Sequence, residues 1–296
     1  MPDLEQQVPL QHATAQIAND LRLHYVTAGQ GDRTILLLHG FPQTWWEWRS
    51  VIPHLVAAGY HVIAPDYRGA DNSQRPVNGY DKQTMARDMH ELLRTHLKCE
   101  GQVILVGHDI GLMVAFAYAQ QYRDEVSHLV VIDAPLPGTK VFDALRSDPR
   151  LWHFAFHGAR DIAEMLVAGK EAAYLKSFMD ARSFDPAALT DTDRSVYTTA
   201  YSTAGAMRAG FELYRAFDAD AQHNRDSITQ HGKLKIPVLA VGGEISNTGP
   251  FMEEMMNEVA ENVTAIRIPA TGHWIARVAA GRELALIISE ALCPSL

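Results

Sequence analysis

Only two cysteines occur in 296 residues, Cys99 and Cys293, and they stand far apart. A disulfide framework of the kind that staples small secreted domains is excluded, and two free thiols in a reducing compartment are expected. Positive charge is also scarce: 26 Lys and Arg against 35 Asp and Glu give a formal net charge of −9. No basic cluster overrides that balance, which argues against a nucleic-acid partner. No apolar run approaches the ~20 residues that cross a bilayer, so no membrane span is expected. The first residues, Met1-Pro2-Asp3-Leu4-Glu5, have neither the basic nor the apolar stretch of a signal peptide. A cytoplasmic protein is expected, although a chain trimmed at its start would read the same, leaving a secreted or periplasmic location open. The motifs C-x-x-C and H-E-x-x-H are missing too, and no metal or organic cofactor is expected.

What is present is ample apolar material, 47% of the residues, arranged in short buried-type runs. Residues 13–18 and 21–29 flank Asn19-Asp20 and read as a hairpin. Continuous apolar runs follow at 34–39, 61–64, 103–106, 129–132 and 237–241, with a more mixed one at 264–268. Such runs suit strands covered on both faces. Helical patterns over 45–58, 81–97, 112–122, 251–259 and 282–292 alternate with them. The expected class is α/β, a mostly parallel sheet with helices on both faces. The alternation breaks once. Residues 136–233 hold no convincing strand and read as helices, including 161–179, 191–201 with Thr190 or Asp191 as its cap, and 206–219. The expected domains are a core of 1–135 and 234–296 and a helical cap of 136–233.

The sharpest motif is Gly107-His108-Asp109-Ile110-Gly111, set between a buried strand and a helix. The serine form of this pattern is the G-x-S-x-G nucleophile elbow of α/β-hydrolases, in which small residues let strand and helix approach around a strained turn. Here Asp109 holds the serine position. A carboxylate is ionised at neutral pH and needs no base, so it can attack an sp³ carbon and form an ester. Read alone, Asp109 has a lesser alternative as a cap on the following helix. Leu38-His39-Gly40-Phe41-Pro42 follows the first buried strand, where such enzymes keep one oxyanion-hole donor. Pro42 has no N–H, so the donors would be the backbone N–H groups of Phe41 and Ile110. Among 14 histidines, His273 stands out, after the last strand in Gly272-His273-Trp274. It is the expected base for water attack on the ester. Its acid has two candidates. Asp133 ends the strand over 129–132 and is favoured. Glu244 lies in Gly242-Gly243-Glu244-Ile245-Ser246, where Ser246 occupies the place many relatives give to Asp.

Taken together, the stretch from Leu38 to Trp48, Pro65-Asp-Tyr-Arg-Gly69, Gly107 to Gly111 and Gly272 to Trp274 resemble the epoxide hydrolase and haloalkanoate dehalogenase branch of α/β-hydrolases. The likeness runs over nearly the whole chain and is closest to Cif-type epoxide hydrolases, through Leu151-Trp-His153-Phe, Ala168-Gly-Lys-Glu171 and Phe211-Glu-Leu-Tyr214-Arg-Ala. The resemblance implies an α/β-hydrolase fold with an all-helical cap, an acid at Asp133, and His153 and Tyr214 as donors to the opening epoxide oxygen. It also implies Trp152 as a substrate contact and a homodimer. Without the resemblance, Tyr214 and His153 read as core packing and a buried histidine. The residue after the nucleophile is Trp or Arg in the dehalogenases, holding halide or carboxylate. Ile110 does neither, which points to a small, neutral, partly lipophilic epoxide. A haloacid or haloalcohol dehalogenase using the same residues is the rival enzyme. A hydrolase-fold binding protein is the rival outside catalysis. One departure is visible: Arg68-Gly69-Ala70-Asp71-Asn72-Ser73 carries Asp71 where relatives often have glycine.

Overall fold

The computed structural model describes residues 8–17, 20–278 and 281–292. The expected hairpin turn at Asn19, the N-terminal pentapeptide and Cys293 lie outside these residues. Strands β1 (Gln11–Ile17) and β2 (Leu21–Ala28) pair antiparallel. β3 (Arg33–Leu38) leads through a short 3₁₀ turn to α1 (Ile52–Ala57), then β4 (Tyr60–Pro65), α2 (Lys82–His90), β5 (Val103–His108), α3 (Ile110–Gln121) and β6 (Val126–Ile132). After β6 come α4 (Lys140–Leu145), α5 (His153–Gly158), α6 (Ile162–Val167), α7 (Glu171–Asp180), α8 (Asp191–Tyr201), α9 (Ala206–Arg215) and α10 (Phe217–His231), with no strand among them. The chain then returns as β7 (Leu234–Gly243), α11 (Met252–Val259), β8 (Ala260–Ile268), α12 (Ile275–Val278) and α13 (Gly281–Leu292). The sheet order is β1-β2-β4-β3-β5-β6-β7-β8, parallel from β4 onward. This is the α/β-hydrolase fold.

Alternation along each strand fills both sides of the sheet. Leu36, Leu38 and Leu105 enter one core with Met85 and Met89 of α2 and all of the buried face of α3. Ile35, Leu37 and Val106 enter the other with Leu55 of α1 and Ile288 of α13. That double burial explains why the strands read as unbroken apolar runs. Helix α3 is buried along all but its last residue, so it shows no polar stripe.

Several helices are shorter than their patterns. The pattern over 45–58 splits into the 3₁₀ turn and α1, where Pro53 sits in the first turn. That over 161–179 breaks at Gly169, whose φ of 74° favours glycine. That over 206–219 divides into α9 and α10. Thr190 caps α8 as a full capping box with Asp193. Asp71, in the place of a glycine, holds a left-handed φ of 37°, a region Asp tolerates better than most residues.

Candidate active site

Parallel strands leave their carboxyl ends on one edge of the sheet, and three turns at that edge build the site. Asp109 ends β5 with φ 51° and ψ −120°. Such a backbone costs on the order of 1–3 kcal/mol. The neighbours make it obligatory. A Cβ on Gly107 would stand 2.2 Å from the Gly111 carbonyl oxygen, and one on Gly111 2.1 Å from that of Leu38. A Cβ on Gly40 would meet the Asp109 Cβ at 2.5 Å. Asp133 ends β6 with the same inversion, φ 50°. The two turns are tied to the next strand: Asp109 N–H donates to Ile132 O at 3.1 Å and Asp133 N–H to Val241 O at 3.0 Å.

These turns bring Asp109, His273 and Asp133 together. His273 Nδ1 lies 2.8 Å from Asp133 Oδ2, and its Nε2 lies 3.5 Å from Asp109 Oδ2. Phe41 N–H donates to Asp109 Oδ1 at 3.0 Å. Asp133 is 1% exposed, yet its other oxygen is satisfied by Gly243 N–H at 3.2 Å and Ser246 Oγ–H at 2.5 Å. Ser246 thus supports the Asp133 carboxylate. Glu244, the other candidate, is exposed and accepts from Ala270 N–H at 3.0 Å instead.

Electrostatics follow from this packing. Burial alone would raise the Asp109 carboxyl. The hydrogen bond and charge of His273, with the Phe41 N–H, outweigh it and hold the group at about 2. Burial alone would lower the His273 imidazole, but Asp109 and Asp133 raise it to about 9. The two groups form an ion pair in the resting state.

Across a cavity of about 190 Å³ from Asp109 and His273 stand His153 of α5 and Tyr214 of α9, their rings 5.6 Å apart. Burial first, and the Asp109 charge next, push the Tyr214 phenol well above its ordinary value. Its hydroxyl is buried with no partner, an open donor. His153 is held neutral, first by burial and then by Arg182. Trp152 does not join them: it is 45% exposed and absent from the cavity wall. The Ile110 side chain is fully buried in the core and also absent from that wall.

The α/β hydrolase fold family matches residues 33–276. A soluble epoxide hydrolase from Corynebacterium sp. (strain C12) is 38% identical over 270 residues, covering 89% of this chain and 91% of its own. The chain belongs to the α/β-hydrolase fold family, in its epoxide hydrolase branch. The crystal structure of Cfl2 from Burkholderia cenocepacia superposes on this α/β-hydrolase with a TM-score of 0.89 at 37% identity, covering 98% of this chain and 97% of that one. A Cif epoxide hydrolase from Acinetobacter nosocomialis shares the fold, with a TM-score of 0.85 at 24% identity over 94% of this chain and 88% of its own.

Other supports of this hydrolase site carry no motif and are absent from the sequence reading. Buried Glu47 accepts from Gly40 N–H at 3.2 Å and lies 2.7 Å from His108 Nδ1. His108 Nε2 reaches the His273 carbonyl at 2.9 Å. One buried network therefore ties the Phe41 turn, the Asp109 turn and His273. The Ser246 contact could have been sought, because the displaced acid left a hydroxyl in its place. Arg182, just past α7, lines the cavity and touches His153. Its N–H-bearing side chain had no spacing signal at all.

Among the described residues, one group has the makeup of a metal site: His24, Asp66 and Asp71. Its geometry is that of hydrogen bonding. His24 Nδ1 and Asp66 Oδ2 are 2.7 Å apart, and Asp66 Oδ1 takes Trp45 N–H at 2.8 Å. The atoms facing each other are thus already satisfied.

Proposed function

We propose that the chain opens small, neutral, partly lipophilic epoxides to vicinal diols through an ester on Asp109. The observation that carries this is the carboxylate of Asp109, ionised and aimed at a cavity whose far wall offers Tyr214 O–H and His153 N–H. An epoxide fits between them. The carboxylate attacks one ring carbon, the C–O bond breaks, and the oxygen becomes an alkoxide under two donors.

The ion pair accounts for the proton. Resting His273 carries one, because two carboxylates face it. Ester formation removes the Asp109 charge, so the imidazole becomes more acidic and its proton is available to neutralise the alkoxide by way of the donors. Neutral His273, oriented by Asp133, then takes a proton from water as the oxygen attacks the ester carbonyl. Phe41 and Ile110 N–H groups hold the resulting oxyanion. Collapse returns diol, ionised Asp109 and protonated His273. Every bond and proton is balanced by side chains and one water, so the scheme requires no cofactor or metal.

The segment over 136–233 acts as the cap that roofs the cavity. Apolar Met113, Leu151, Phe154 and Phe217 in its wall support a lipophilic substrate. The buried Ile110 side chain offers no halide or carboxylate ligand, which disfavours dehalogenation. Single turnover in ¹⁸O-water is the test. Label is expected in Asp109 and not in the diol, and label appearing in the first-turnover diol would refute the ester route.

A further inference from the structure

We infer that Arg182 is a positioning residue that fixes the proton of His153 on Nε2, the nitrogen offered to the epoxide oxygen. This rests on the reading of His153 as a ring-opening donor. A guanidinium has five N–H donors and no acceptor. The terminal nitrogen of Arg182 contacts His153 Nδ1, so Nδ1 must accept and carries no proton. A proton there would set two donors against each other. Burial, and then the Arg182 charge, hold the ring well below the ordinary imidazole range, so it carries a single N–H. That N–H must be Nε2–H.

The surroundings agree. No described residue hydrogen-bonds His153 Nε2, and the ring lines the cavity with Asp109 and Tyr214. His157, one turn further along α5, differs: its Nε2 meets the Tyr174 hydroxyl and it does not line the cavity. Arg182 is itself held in place. Its other terminal nitrogen donates to Phe178 O at 2.9 Å, and its guanidinium carbon sits 3.8 Å from the Phe178 ring centroid. Among the described residues no carboxylate pairs with it. A cation placed there without a carboxylate polarises the imidazole behind it, which makes Nε2–H a stronger donor as charge grows on the epoxide oxygen. The Arg182 carbonyl, by contrast, accepts His273 N–H at 2.9 Å. Side-chain variants therefore leave the base's backbone contact in place.

Two measurements test this. The first is ¹⁵N NMR of histidine-labelled enzyme without substrate, assigned with His153→Phe. A single neutral form protonated on Nε2 is expected. A proton on Nδ1, or a cationic ring near neutral pH, would overturn the inference. This arm needs no variant of Arg182 and no turnover, so it stands even if no diol is formed, the result that would defeat the functional reading alone. The second is single-turnover ester formation from styrene oxide, by rapid quench and mass spectrometry, in a double-mutant cycle. Arg182→Met is expected to slow ester formation by ~10- to 100-fold in the native background. In the His153→Phe background the same change should cost under about twofold. Equal losses in both backgrounds would show that Arg182 does not act through His153.

Discussion

The two walls of the cavity are built on different principles. On the sheet side, backbone fixes chemistry. Asp109 and Asp133 sit on inverted φ angles at adjacent strand ends, each tied by its own N–H to the next strand. Glycines stand wherever a Cβ would collide. On the helical side, side chains hold side chains. His153 and Tyr214 meet in an aromatic cluster with Phe178, His157 and Phe41, ring edge to ring face at 4.3–5.6 Å. The first wall is fixed by steric constraint on the backbone and sets Asp109 beside His273. The second is held by side-chain packing and presents Tyr214 and His153 to the cavity.

If that contrast holds, damage should grade from one wall to the other. Asp109→Ala is expected to abolish diol formation, at least about 10⁴-fold in kcat. His273→Ala should slow ester formation and slow its breakdown further still, so that ester accumulates, seen as substrate mass on the peptide holding Asp109. Gly111→Ala strikes the same wall through backbone, with its Cβ 2.1 Å from the Leu38 oxygen. A loss of about 3 kcal/mol is expected, read as a lower denaturant midpoint. On the helical wall, Tyr214→Phe removes one donor and should cost about 10²-fold in kcat/KM with fold and stability unchanged.

Changing pH separates the walls without mutation. His273 in the free enzyme is raised to about 9, so its proton is present below that pH and lost above it. Ester formation is expected to fall about tenfold per unit above pH 9 in single-turnover measurements. The same sign applies to folding: the stabilising ion pair is fully present below the ordinary imidazole range and fades as pH rises through about 9. Trp152→Ala should do least, under twofold in kcat/KM, because the ring is exposed outside the cavity wall. A large loss there would mean that the helical wall moves further over substrate.

The same contrast explains what could be read in advance. Gly107, Asp109 and Gly111 were legible because collision forces residue types at fixed spacing. His273 was legible by its place after the last strand. Asp133 and Glu244 are two candidates in the sequence; in the fold Asp133 lies 2.8 Å from His273, while Glu244 is exposed although it is only two residues from Ser246, which does reach Asp133. The strands read true in number, because burial on both faces writes itself as apolar runs. Helix lengths read less well, since a 3.6-residue pattern passes straight through Gly169 and across Ala216. On the helical wall, periodicity says that Tyr214 and His153 are inward and nothing about their task. Arg182 follows no pattern, because its partner lies 29 residues away on another helix.

The Arg182 carbonyl carries a lesson for anyone regrafting this enzyme. Since it receives the amide of His273, that imidazole is seated partly by a segment that a chimera-builder would regard as exchangeable. A transplanted helical segment would leave Asp109 in place yet set His273 adrift, unless the donor sequence also presents a main-chain oxygen at that one spot.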